Sequence, residues 1–315
     1  MPLPALLKNR LALPVIGSPM FIVSYLDLVL AQCRAGVVGA FPSLNAREPG
    51  ELEQWLQRLT SELTDQDAPF AVNLIVHGGN QRLAEDLALC VKYRAPMVIT
   101  SLGARPEVNE AVHGYGGIVF HDVINDRFAR KAIEKGADGL IAVAHGAGGH
   151  AGTLSPFALV QIIRDWFDGP LVLAGSIATG GAIAAAQAMG ADLAYIGSAF
   201  IATEEANAAA AYKQMICDHS GEDIVYTDVF TGIHGNYLRP AIAAAGLDPD
   251  DLRPIERDPK DFRKPKAWRD VWASGHGIGA VRKTEAAGAY IERLKREYRA
   301  AIARMCQTGQ PSGER

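Results

Sequence analysis

The feature that most constrains this chain is a strict alternation of two kinds of segment. Eight short runs are apolar almost from end to end: LPVIGSPM (13–20), AGVVGAF (35–41), FAVNLIV (70–76), PMVITSLG (96–103), GIVFHDV (117–123), GLIAVA (139–144), PLVLAGS (170–176) and LAYIGSAF (193–200). A strand with one solvated face alternates polar and apolar residues; one buried on both faces, as in a parallel sheet, does not. Between the runs lie amphipathic helical stretches such as GELEQWLQRLTSEL (50–63), NQRLAEDLALCVKY (80–93) and DRFARKAIEKG (126–136). The last closes on basic residues and a glycine, a helix stop. Eight strands each followed by a helix predict an α/β fold, a (β/α)8 TIM barrel. An open doubly wound sheet is the competitor, since periodicity does not report closure. The barrel is preferred because no ninth run and no break between halves is evident.

Beyond a helix near 203–218 the pattern stops. The expected organisation is a barrel over 1–218, an irregular and helical insertion at its mouth over 219–280, and a C-terminal helical extension over 281–315 that packs back on the barrel. Within 253–270 seven basic and four acidic residues interleave with three prolines, which reads as a solvated surface segment rather than a nucleic-acid patch. The whole chain gives the same answer: with 315 residues, 49% hydrophobic and a net charge of −4, it is neither disordered nor drawn to nucleic acid or anionic membrane. No uncharged apolar run approaches the roughly 18 residues of a membrane span, and Lys8 and Arg10 interrupt the N-terminal stretch. Cys33, Cys90, Cys217 and Cys306 are far apart, with neither CxxC pairs nor zinc spacing. A reducing, cytoplasmic setting with no metal is the expectation.

A barrel builds its site at the C-terminal ends of its strands. The seventh run ends in AGSIATGG (174–181) and the eighth in YIGSAF (195–200), so Gly175-Ser176 and Gly197-Ser198 stand where strand turns into helix. Exposed main-chain N–H groups and a hydroxyl there suit a phosphate, although glycine also serves a plain turn. The sixth run enters AHGAGGHAGTLSP (144–156), a loop whose missing side chains let the backbone lie against a flat ligand. His150 reads as a general base or substrate anchor, with a backbone-bonded histidine as the bland alternative, and that alternative is stronger for His145. Met20 ends the first strand, and Asn73 lies within the third, where its amide needs partners. His121 and Asp122 fall on opposite faces of the fifth, Asp122 either in the mouth or capping the next helix.

Together, PVIGSPM (14–20), FAVNL (70–74), GADGLIAVAHGAGGHAG (136–152), LVLAGSIATG (171–180), MGADLAYIGSAFIAT (189–203) and WASGHGIGAV (272–281) resemble the nitronate monooxygenase family, formerly called 2-nitropropane dioxygenases. Its relatives include an NADH:quinone reductase and flavin-dependent enoyl-acyl-carrier-protein reductases. The resemblance covers essentially the whole chain and implies a barrel holding non-covalent FMN. It implies that the Met20 backbone and Asn73 contact the flavin ring, that Gly148 and Gly149 pass beside it, and that Gly175, Ser176, Gly197 and Ser198 hold the phosphate. His150 matches the active-site histidine, and ASGHGIG (273–279), with Ser274 and Gly275, matches a loop returning to the flavin. Two positions depart: His121-Asp122 stands where some relatives carry a lysine, and Ala151 where some carry arginine. The implied reaction is oxidation of alkyl nitronates by O2 to a carbonyl compound and nitrite. The alternatives are an FMN-dependent NAD(P)H reductase and a non-redox phosphate-ligand barrel. The expected partners are a small substrate and O2, with a homodimer left open.

Overall fold

A computed structural model describes residues 3–253 and 268–308; most of the charged segment 253–270 lies outside the described residues. Numbered along the chain, the strands are β1 (Val15–Gly17), β2 (Gly39–Pro42), β3 (Phe70–Ile75), β4 (Met97–Ser101), β5 (Ile118–Val123), β6 (Gly139–Val143), β7 (Gly149–His150), β8 (Leu171–Ala174), β9 (Leu193–Ile196), β10 (Ile224–Thr227) and β11 (Gly235–Leu238). Eight of them, all except β7, β10 and β11, form one parallel sheet in the order β1-β9-β8-β6-β5-β4-β3-β2. A parallel bridge between Ile16 and Val38, with the Gly17 N–H donating to the Val38 carbonyl at 2.7 Å, brings its ends together. The architecture is a TIM barrel.

Register decides what faces inward. Ile99 pairs with Phe120, Ile141 with Val172, and Val172 with Leu193, and all five pack in one buried cluster inside the ring. Gly139 leaves space for its neighbour, because a Cβ there would stand 2.7 Å from the Phe120 ring. Two residues further along each strand the same inward face carries Ser101, Asp122, Val143, Ala174 and Tyr195, with Asn73 joining from β3. The apolar interior therefore turns polar toward the mouth on the β3–β5 side. The opposite face, with Val98 and Val119, packs against the helices.

The segment after residue 218 differs from its expected irregular and helical character. It contains β10 and β11, which pair antiparallel with each other, and β11 also pairs with β7 from the sixth barrel loop. These strands were not legible because each is four residues long and the connection between them, 228–234, carries no tight hairpin signal. The C-terminal helix Ala287–Thr308 lies on the helix Gly180–Ala188, where Glu297 accepts the Gly180 N–H at 2.8 Å and so answers the positive end of that helix. No helix among the described residues is long and apolar enough to cross a membrane.

Gly180 sets how closely these two helices approach. A Cβ there would lie 2.2 Å from the Tyr298 nitrogen and 2.3 Å from the Leu294 oxygen, both main-chain atoms that cannot rotate away. Gly180→Ala is expected to destabilise the protein despite alanine's gain of about 1 kcal/mol in helix propensity, because overpacking costs about 1–3 kcal/mol. A lower urea midpoint with an unchanged slope checks this; a raised midpoint would refute it.

Candidate active site

A cavity of about 1230 Å3 opens at the C-terminal ends of the barrel strands. Pockets for one small ligand run to about 300–1,000 Å3, so this one has room for a cofactor and a second molecule. Met20, Asn73, His121, Asp122, Gly148, Gly149, His150, Gly175, Ser176, Gly197, Ser198 and Gly275 all line it. Ser274 stands just behind, almost fully buried, with its N–H donating to the Asn236 carbonyl at 3.3 Å. His145 is not among the lining residues; its exposed ring meets His276 edge-on at 4.9 Å. Burial and the neighbouring His145 both push the His276 imidazole below its ordinary range.

One wall is made of three glycine-rich segments that touch through their main chains. The Gly146 carbonyl accepts the His276 N–H at 3.0 Å and the Ser176 N–H at 3.3 Å, while the Gly275 N–H donates to Ser198 Oγ at 2.8 Å. A Cβ on Gly148 would stand 2.8 Å from both the Gly275 nitrogen and Ser198 Oγ. Ser176 is left-handed at φ 58°, directly after Gly175 at φ 133°. A non-glycine residue held there costs about 1–3 kcal/mol, and such conformations concentrate where the main chain must meet a ligand. Ser176 and Ser198 thus bring two hydroxyls to adjacent strand ends, a donor set suited to a phosphate. Met20 lines the cavity as expected, with its main-chain polar groups already engaged. Its N–H donates to Ser24 Oγ at 3.0 Å and its carbonyl accepts from Asn45 Nδ2 at 3.0 Å, so a polar main-chain contact would have to displace one of these.

The opposite wall is a polar chain across three strands. Asn73 Nδ2 donates to the Ile99 carbonyl at 3.0 Å and to Ser101 Oγ at 2.8 Å, and Ser101 Oγ donates to Asp122 Oδ2 at 2.5 Å. Asp122 therefore sits in the mouth. The next helix, Asp126–Glu134, is capped instead by Asn125, which accepts the Phe128 N–H at 2.9 Å. Burial pushes the Asp122 carboxyl up to about 6. His121 points to the outer face, 2.6 Å from Thr100 Oγ1, and burial pushes it down to about 4. Near neutral pH the imidazole is therefore uncharged, so His121 lines the cavity without bringing a cation to it. Ser101 was missed in the sequence because a serine closing an apolar run looks like the start of a turn.

His150 belongs to β7 and is fixed by the insertion. Its Nε2 lies 2.9 Å from Thr231 Oγ1, and its ring meets Trp268 edge-on at 5.5 Å. The Thr231 hydroxyl also reaches the Ile233 carbonyl at 2.9 Å. With the hydroxyl proton on that carbonyl, Thr231 accepts the Nε2–H of His150 and leaves Nδ1 as the basic nitrogen. Burial lowers the imidazole's basicity, so it stands neutral. No signal in the sequence marks Thr231.

Residues 78–245, more than half of the chain, match the nitronate monooxygenase family profile. The chain belongs to the nitronate monooxygenase family. A nitronate monooxygenase of Paraburkholderia phytofirmans is 26% identical over 287 residues, covering 76% of this chain and 77% of that protein. An indene-carboxyl-CoA dehydrogenase of Rhodococcus jostii is 26% identical over 246 residues, covering 74% and 68%. Among solved structures, FabK from Thermotoga maritima superposes with a TM-score of 0.79 at 23% identity, over 96% of this chain and 97% of that one, which shows a shared fold. Membership makes the protein a flavin-dependent oxidoreductase.

Two substitutions test this geometry. Gly148→Ala is expected to force the interlocked wall open and lower flavin retention, read by flavin-to-protein absorbance after gel filtration; full retention would show that the wall yields. Thr231→Val removes one hydrogen bond from His150, worth about 0.5–1.5 kcal/mol. Turnover is expected to fall roughly two- to tenfold, with the pH profile displaced, and an unmoved profile would mean that Thr231 does not orient the ring.

Proposed function

We propose that this protein holds FMN in the barrel mouth and oxidises alkyl nitronates with O2 to a carbonyl compound and nitrite. The observation that carries the reading is His150, a neutral imidazole lining the cavity with its Nε2 committed to Thr231. Its Nδ1 is then free to take the α-proton of a neutral nitroalkane, and the protonated ring holds the nitronate oxygens that result. The residues present fit the cofactor. Ser176 and Ser198 line the cavity and form a cradle for its phosphate, and Asp122 Oδ1 is a buried polar atom awaiting a partner. When bound, the flavin would accept the substrate's electrons and pass them to O2.

A second reading, reduction at the expense of NAD(P)H, draws support from the cavity's size and from the relative that is named a carboxyl-CoA dehydrogenase. Anaerobic mixing with ethyl nitronate, and in parallel with NADH, separates the two. Loss of the oxidised flavin spectrum with nitronate alone is expected, and loss with NADH alone would move the protein to the reductases. His150→Ala is expected to keep flavin and lose about 10²–10⁴ in rate on neutral nitroethane, the usual contribution of a general base. Because burial lowers the His150 pKa, the base stays unprotonated to lower pH than a free imidazole. The acid limb of the wild-type profile should therefore lie below about pH 6.5 and vanish in the variant. Undiminished turnover of nitroethane by His150→Ala would reject His150 as the base.

A further inference from the structure

Resting on the flavin reading above, we propose that Asp122 works as a neutral carboxylic acid whose Oδ1–H donates a hydrogen bond from the floor of the cavity to an acceptor atom of the bound flavin ring. The direction of the neighbouring bonds assigns the proton. Asn73 has two N–H donors on its amide, and they go to the Ile99 carbonyl and to Ser101 Oγ. Ser101 accepts that bond, so its own proton goes to Asp122 Oδ2. Oδ2 is thus an acceptor already in use, and a proton on Asp122 resides on Oδ1. That oxygen is buried and has no hydrogen-bond partner, which is unfavourable for an ionised carboxylate.

The surroundings favour the acid. The desolvation that raises its pKa to about 6 is opposed by the Ser101 hydroxyl and by no lysine or arginine. The titratable group that faces it is Tyr195, from β9 across the barrel, whose phenol is raised by burial and by Asp122 itself. Neighbouring β6 contributes the apolar Ile141 and Val143, β4 contributes Ser101, and His121 turns to the outer face. His150, His77, His234 and Lys131 line the same cavity, the last three of them exposed. Asp122 belongs to the inward layer at the top of the barrel core. A substrate arrives from the solvent side, so the molecule lying against this floor is the resident cofactor.

Asp122→Asn separates the possibilities because its amide reproduces the acid: the carbonyl accepts from Ser101 and the N–H points where Oδ1–H would. FMN dissociation constants are measured by fluorescence quenching from pH 5 to 8 for wild type and variant, and ionisation of the FMN phosphate cancels in their ratio. The wild-type constant should match the variant's at pH 5 and be about 100-fold weaker at pH 8, tenfold for each unit above the carboxyl's pKa. A ratio that stays constant overturns the inference, and one that moves the other way makes the carboxylate an acceptor for a ring N–H. Failure of both proteins to bind FMN removes the flavin reading and this inference with it.

A cofactor-free measurement checks the protonation state. A folded pKa of about 6, against an ordinary 3.8, contributes stability that is complete below pH 3.8 and lost as pH rises through 6. The thermal midpoint of wild-type apoprotein should therefore fall relative to Asp122→Asn between about pH 4 and 6. Parallel curves would mean that Asp122 is ionised in the fold and would overturn the proposal.

Discussion

Parallel register is the constraint on which everything else in this molecule depends. In a closed ring of parallel strands each side chain has two choices, inward or outward, and the choice for one residue fixes it for its partners on both neighbouring strands. Ile99, Phe120, Ile141, Val172 and Leu193 fill the interior because they share a parity. The same parity, one step higher, delivers Asn73, Ser101, Asp122 and Tyr195 to the mouth. A slip of one residue in β5 would bury Asp122 against the helices and aim His121 at the ligand. The dense apolar packing below is therefore what holds the polar chain above in place.

The second device is the join between the sixth barrel loop and the insertion. A glycine-rich loop alone pays a large entropic cost to hold one conformation. Here β7 is pinned by pairing with β11, and Gly146 and Gly148 are pinned by contacts with Ser176, Ser198, Gly275 and His276. Segments far apart in sequence thus share one rigid wall. This is why His150 takes its orientation from Thr231, 81 residues away.

How much of this was legible follows from the range of each interaction. The eight strands, the Gly-Ser turns and the His150 loop announce themselves locally, through apolar runs and residues with restricted uses. Asp122 was visible as a polar residue at a strand end, but its direction was not, because the choice between mouth and helix cap was decided by Asn125 three residues on. Ser101 and Thr231 carry no local signature; each matters only through a partner that register or strand pairing brings to it. The strands β10 and β11 were hidden for the same reason, since four residues gain a partner only in the assembled fold. Met20 shows the reverse case, where the position is as expected but Ser24 and Asn45 have already claimed its main-chain groups.

The charge pattern of the cavity completes the physical picture. Among the described lining residues Lys131 is the one lysine or arginine, and it is exposed on the helix after β5. Among the described residues, negative charge arriving in the mouth therefore meets hydroxyls and main-chain N–H groups rather than a fixed cation. Such dipoles stabilise charge well only when they are held in place beforehand, since reorienting them during a reaction would consume the gain. The interlocked glycines, the strained Ser176 and the hydrogen-bonded Asn73–Ser101 chain supply that rigidity.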